Sequence, residues 1–245
     1  QEKTPHQKLE IALEILETRN EKEIPDHYHS LFLNKNFIGD LFLVKRTRQE
    51  ETLEKIIGYW KKGQSRSIAV VGDPLSGKST LMEFATHQFK SNDAHYLVPG
   101  NEISIEGRKL KMGRNLEEVL SFVRRSISNS KPILILDDLH LWRDSERSLI
   151  SNVTALLDFI SLSASKAFVI VGMNNSLRLH LDCRIPFSQT FTNIFDTNIS
   201  STDEIYRAVL LRHGASHRAL FEKEGRTMTE EQIRKKISWL TKKFD

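Results

Sequence analysis

Residues 72 to 80 read Gly-Asp-Pro-Leu-Ser-Gly-Lys-Ser-Thr. The spacing fits G-x-x-x-x-G-K-[ST], with Gly72, Gly77, Lys78 and Ser79 at the fixed positions. Glycines let the backbone turn so that its N–H groups converge. The N-terminus of a following helix adds its positive end, so such a loop suits a phosphate anion. Lys78 is long enough to reach β- and γ-phosphates, and the Ser79 hydroxyl is an oxygen donor for Mg²⁺. Asp73, Pro74, Leu75, Ser76 and Thr80 complete the candidate cradle. The flanks agree with this reading. Ser67 to Val71 (SIAVV) is a run of the buried-strand type, and Lys78 to Lys90 has a helical pattern. With glycine near 7% of residues, a chance match in a chain of this length is on the order of one in a hundred.

Outward from this loop, apolar runs alternate with helical patterns. Ala94 to Val98, Ile133 to Leu136, Ala167 to Val171 and a segment within Phe191 to Ile199 read as strands, and Asn101 to Lys111 as a hairpin. Glu50 to Lys62, Leu116 to Ile127 and Glu146 to Ser161 read as helices. Continuous apolar strands separated by helices imply a sheet covered on both faces. The expected fold is therefore α/β, a three-layer sandwich around a mostly parallel five-stranded sheet. From Thr202 on, the pattern gives two helices and no strand. The expected organisation is an N-terminal helix and linker over 1–36, a nucleotide-binding core over 37–200 and a small all-helical lid over 201–245. The helix in the first segment covers residues 4 to 19, with Ser201 to Glu204 capping the first lid helix.

Ile133-Leu134-Ile135-Leu136 is followed by Asp137-Asp138. An acid at the end of a second buried strand beside a phosphate loop supplies the carboxylate that holds Mg²⁺, directly or through water. Asp137 is the candidate for that role. Asp138, one residue on, is placed to orient or deprotonate an attacking water.

Together these segments resemble the AAA+ and STAND branch of the P-loop NTPases, over about residues 37 to 245. Leu136-Asp137-Asp138-Leu139-His140 is similar to the "LDDLH" phrase of STAND ATPase modules, whereas many AAA+ proteins carry Asp-Glu at the acidic pair. The resemblance implies a slow, ligand-gated switch. Phe168 to Asn175 resembles the strand that carries the polar "sensor 1", which implies that Asn175, or second Asn174, contacts the γ-phosphate or the water. Leu181-Asp182-Cys183-Arg184 resembles the stretch that holds the arginine finger, which implies self-association with Arg184 acting on a neighbour's nucleotide. Thr202 to His213 looks like a lid helix of initiator-type members. Leu43 to Glu50 resembles the segment that lies over the adenine, with its glycine missing. No sensor 2 arginine is assigned.

Composition bounds the remaining classes. The chain has 245 residues, 39% hydrophobic and 28% charged, which excludes a fully disordered chain and a small disulfide scaffold. The single cysteine, Cys183, forms no intrachain disulfide, and a reducing, cytoplasmic setting is the simpler expectation. No apolar run approaches the ~18 residues of a membrane helix. The first residue is Gln1 rather than Met, so the chain reads as part of a larger protein. The net charge of +4 is uneven. From Tyr206 to Asp245 there are ten Lys and Arg against five acids, which leaves the rest near neutrality. A basic tail meets phosphate of a nucleotide or of a nucleic acid, or is a solvated helix face.

The leading expectation is thus an ATP-binding, ATP-hydrolysing module with Mg²⁺, a nucleotide-dependent switch whose protein partner or effector lies outside this chain. The alternatives are a DNA-engaged ATPase, of replication-initiator or transposition-helper type, and a nucleotide-binding scaffold without useful turnover. Adenine is preferred over guanine, because Asn34-Lys35-Asn36 lacks the Asp of a guanine-reading motif and precedes the loop. His27 and His29 have metal-like spacing but no completing ligands, and Trp60, Trp142 and Trp239 are too scattered for a base-stacking platform.

Overall fold

The computed structural model describes residues 44, 46–74, 76–89, 94–128, 130–143, 147–163, 165–198, 202–215 and 227–244. The helix expected at residues 4 to 19, the apolar stretch 37–43, His27, His29, Leu75 and Ser201 lie outside them. The chain forms two units, one spanning Lys45–Ile199 and the other including Ser200–Asp245.

In the first unit the elements run α1 (Thr47–Lys61), β1 (Ser67–Val71), α2 (Lys78–Phe89), β2 (Ala94–Tyr96), β3 (Glu102–Ile105), β4 (Arg108–Lys111), α3 (Leu116–Ser126) and β5 (Ile133–Leu136). A 3₁₀ turn at Leu139–Leu141 follows, then α4 (Leu149–Ser163), β6 (Phe168–Met173), α5 (Asn175–Asp182), α6 (Phe187–Thr190) and β7 (Asn193–Asp196). Five strands pair in the order β2-β5-β6-β1-β7. Every pairing among them is parallel, so all five carboxyl ends open on one edge. The remaining pair, β3 and β4, is the expected antiparallel hairpin.

The strands β1, β5 and β6 are buried at every residue. Alternate side chains serve two cores. Ala69, Val71, Leu134, Leu136, Val169 and Val171 join α3 and α4 on one face. Ile68, Val70, Ile133, Ile135, Phe168 and Ile170 join α1 and α2 on the other. Each fully buried side chain of this size contributes roughly 1.5–3 kcal/mol, which is why continuous rather than alternating hydrophobicity marks these strands. The result is the expected α/β sandwich of three layers.

The last strand, Asn193–Asp196, lies within the expected segment, and before it Phe191 packs its ring on Phe187 of α6, with centroids 4.9 Å apart. Helix α4 begins later and ends later than expected, at Leu149 and Ser163. A buried Asn152 fixes its start. Its Oδ1 accepts from Leu116 N (3.0 Å), and its Nδ2 donates to the carbonyls of Arg114 (2.9 Å) and Trp142 (2.7 Å).

The second unit contains α7 (Thr202–Ala215) and α8 (Glu230–Phe244). Arg234 of α8 donates to Asp203 of α7 and lies over the Tyr206 ring, 5.7 Å from its centroid. Ile233 and Ile237 of α8 are buried, while Arg234, Lys235 and Lys236 are exposed.

Candidate nucleotide site

The loop of residues 72–79 leaves β1 at the carboxyl edge of the sheet and enters α2 at Lys78. Gly72 is buried, and its N–H donates to Met173 O across the sheet (3.0 Å). Ser76 N donates to Asp73 O (3.1 Å), and Gly77, at φ +89°, turns the chain into the helix. Asp73 and Pro74 are exposed, and Thr80 is half-buried. The first turn of a helix leaves N–H groups without intrahelical acceptors, and here they belong to Lys78, Ser79 and Thr80. Lys78 Nζ donates to Asp73 O (3.1 Å), so its ammonium spans the mouth of the loop.

β6 separates β5 from β1, yet the acidic strand end reaches the loop. Ser79 Oγ donates to Asp137 Oδ2 (2.7 Å). The other carboxylate oxygen, Oδ1, accepts from Asp138 N (2.9 Å). Asp138 has φ 54° and ψ 57°, a left-handed conformation that Asp and Asn adopt more readily than longer side chains.

Gly172 carries no site signal in the sequence pattern. A Cβ built there would lie 2.5 Å from Asp137 Oδ1 and 2.8 Å from Met82 Sδ. No L side chain fits without moving the carboxylate. β6 therefore passes under Asp137 with a bare backbone, and Met82 of α2 closes the other side.

Charges around this point are coupled. Burial raises the Glu83 carboxyl above its ordinary value of 4.5; His87 opposes the rise and Asp137 adds to it. Burial also raises the Tyr96 phenol, a hydrogen bond with Thr86 opposes this, and Glu83 and Asp137 add to it. Glu83 lies one helical turn beyond Ser79, on the same face of α2.

No protein-family model matches the chain, and no curated protein matches it. Solved structures do. The ORC2 protein of Aeropyrum pernix, in ADPNP and ADP complexes, superposes with a TM-score of 0.51 at 14% identity, covering 86% of this chain and 64% of that one. Drosophila ORC bound to DNA gives 0.53 at 15% identity, covering 96% and 66%. The ORC1 protein of Aeropyrum pernix in complex with DNA gives 0.54 at 11%, covering 75% and 53%. This chain spans less than two-thirds of the length of each. The fold is that of the AAA+ P-loop NTPases.

Within this core, the other candidates take separate places. Asn174 caps α5, its Oδ1 accepting from Leu177 N (2.7 Å). Asn175 begins α5 at the carboxyl end of β6, between the loop strand and the acidic strand. Its Oδ1 accepts from Arg178 Nε (3.1 Å) and Nη2 (3.0 Å). Asp182 ends α5 and accepts from Ser188 N and Oγ (2.8 and 2.6 Å), which ties α5 to α6. Arg184 is exposed on the turn that follows, with Cys183 exposed beside it. The structure thus gathers Gly72, Lys78, Ser79, Asp137 and Asp138, while the Arg184 side chain makes no hydrogen bond or ion pair among the described residues. Arg46, in the segment that resembles an adenine cover, lies against the loop: Nη2 donates to Ser76 O (2.7 Å). Trp60 and Trp142 are buried core residues.

Proposed function

We propose that this chain is an ATP-binding and ATP-hydrolysing module that works as a nucleotide-dependent conformational switch within a larger protein, of AAA+/STAND type. The observation that carries the reading is the contact of Ser79 Oγ with Asp137 Oδ2 at 2.7 Å, at the end of a phosphate-type loop. A hydroxyl and a carboxylate oxygen side by side are hard donors of the kind Mg²⁺ takes. The glycine at 172 leaves space for that carboxylate. The donor set fits the ion, with Ser79 and Asp137 as its holders. Held by Ser79 and Asp137, Mg²⁺ would supply neutralisation of the phosphate charge.

The chain's own groups divide the remaining work. The loop from Gly72 to Thr80, including Asp73, Pro74, Leu75, Ser76 and Gly77, cradles phosphate with its N–H groups. Lys78 Nζ leaves the Asp73 carbonyl for the β- and γ-phosphates. Asp138 orients the attacking water and accepts its proton, and the Asn175 amide donates to the γ-phosphate. Arg184, exposed on the turn after α5, suits action on a second copy. Slow turnover accords with the short Asp138 side chain where many relatives of this type carry Glu.

The test is hydrogen exchange of the whole chain with Mg-ATP, with Mg-ADP and without nucleotide, paired with a phosphate-release assay. The reading expects protection of residues 72–80, slow release, and an exchange pattern in 202–244 that differs between ATP and ADP. Identical patterns in all three states would remove the switch.

A second reading, a DNA-engaged ATPase, is favoured by the DNA complexes among the similar structures and by the exposed Arg234, Lys235 and Lys236 of α8. It expects duplex binding whose affinity falls steeply with salt. No binding at low salt would exclude it.

A further inference from the structure

The end of β7 meets the phosphate loop through side chains to which the roles above assign nothing. Thr197 is fully buried 126 residues after Val71, to whose carbonyl its Oγ1 donates (3.1 Å). The same Oγ1 lies 2.6 Å from Ser76 Oγ. Either hydroxyl of this pair is able to donate to the other. A Cβ on Gly72 would lie 2.0 Å from Thr197 Oγ1 and 2.4 Å from Ser76 Oγ, so this hydroxyl pair occupies the space a side chain would need. Next along the chain, Asn198 Oδ1 accepts from Asp73 N (2.6 Å).

A third segment closes the arrangement. Arg46 Nη2 donates to Ser76 O (2.7 Å) and Nη1 to Thr197 O (3.1 Å). Gln49, three residues on, donates from Nε2 to Asp196 O (2.8 Å). Both ends of the loop's first half are thus held from outside, Asp73 by an amide oxygen and Ser76 through its side chain and its carbonyl.

We propose that Thr197, Asn198 and Arg46 form a clamp that holds the phosphate loop in its phosphate-binding shape, and that they are positioning residues for nucleotide binding. The proposal rests on the reading of the loop as a nucleotide site. Its physical basis is entropy. A glycine-bearing loop has much conformational freedom to lose, and ordering it before the ligand arrives removes that cost from binding. None of the three needs to touch the nucleotide.

The test uses the whole chain and two readouts. Thr197→Val keeps the buried volume and the Thr197 N–H donated to Val71 O (2.7 Å), but leaves Ser76 Oγ without its hydroxyl partner. Asn198→Ala alters an exposed side chain, so it keeps the proposal testable should the buried variant not fold. Amide exchange over residues 72–79 in nucleotide-free protein is expected to accelerate in both variants. The dissociation constant for Mg-ATP, measured by titration calorimetry, is expected to rise about tenfold in Thr197→Val. Thr197→Ser, which restores the hydroxyl, is expected to return both readouts to the wild-type range. Unchanged exchange in Thr197→Val and Asn198→Ala would overturn the clamp, and faster exchange with unchanged affinity would overturn its role in binding. Wild-type protein that does not bind Mg-ATP would instead remove the nucleotide reading, since the exchange measurement needs no nucleotide.

Discussion

Ser79 Oγ and Asp137 Oδ2 lie 2.7 Å apart although 58 residues separate them in the chain. The contact joins the first turn of α2 to the end of β5 across the intervening strand β6. It is possible because β6 presents Gly172 at the crossing.

Gly172→Ala tests that geometry. The added methyl would stand 2.5 Å from Asp137 Oδ1 and 2.8 Å from Met82 Sδ in a close-packed sheet. Overpacking of this kind costs about 1–3 kcal/mol. A lower urea midpoint and loss of Mg²⁺-dependent phosphate release are expected. A variant with wild-type stability and turnover would show that Asp137 has room to move.

Asp138 gives a second test, from its backbone. Its left-handed conformation suits Asp or Asn, whereas other side chains cost roughly 1–2 kcal/mol there. Asp138→Asn is expected to keep the fold and Mg-ATP affinity and to lose turnover. Asp138→Glu is expected to unfold at lower urea than wild type, and not to gain turnover. Faster phosphate release by the Glu variant would contradict this explanation of the acidic pair.

Much of this arrangement was legible in the sequence. The strands β1, β5 and β6 are apolar at every position because both faces are covered, and that pattern needs no knowledge of neighbours. The loop and the acidic pair are local, with fixed spacing. Gly172, Thr197, Asn198 and Arg46 were not legible as site residues. Gly172 matters only because β6 runs between β1 and β5. Thr197 matters only because β7 pairs with β1 in the register Val71↔Asp196, which carries the next residue to the start of the loop. Both are consequences of strand order, which local pattern does not encode. Arg46, within the segment Leu43 to Glu50, donates to the loop carbonyl of Ser76 and to Thr197 O, contacts that also depend on how distant segments meet.

Asn152 supports a stability prediction away from the chemistry. Its buried amide joins Leu116 N and the carbonyls of Arg114 and Trp142. Asn152→Ala leaves the buried Leu116 N and Trp142 O, and the part-buried Arg114 O, without that partner and is expected to cost about 2–4 kcal/mol. Equilibrium urea unfolding reads it directly, and a change below the noise of that measurement would mean that water replaces the amide.

The pH dependence of stability follows from Glu83. Burial raises its carboxyl above 4.5 in the native state, so the native state binds the proton more tightly than the unfolded chain. Stability from this group is therefore fully present below pH 4.5 and is lost as pH rises through the native value. Glu83→Gln removes the dependence. In chelator-treated protein, the stability of the variant relative to wild type is expected to increase between pH 4 and pH 7. A difference that is equal at the two pH values would contradict the assignment.

The central claim is that residues 72–80 with Asp137 bind Mg-nucleotide, and calorimetric titration of Mg-ATP into wild type and Lys78→Ala tests it most directly. The account predicts saturable binding of one nucleotide per wild-type chain and no measurable binding by a folded Lys78→Ala variant. Equal affinity in the two proteins would contradict it.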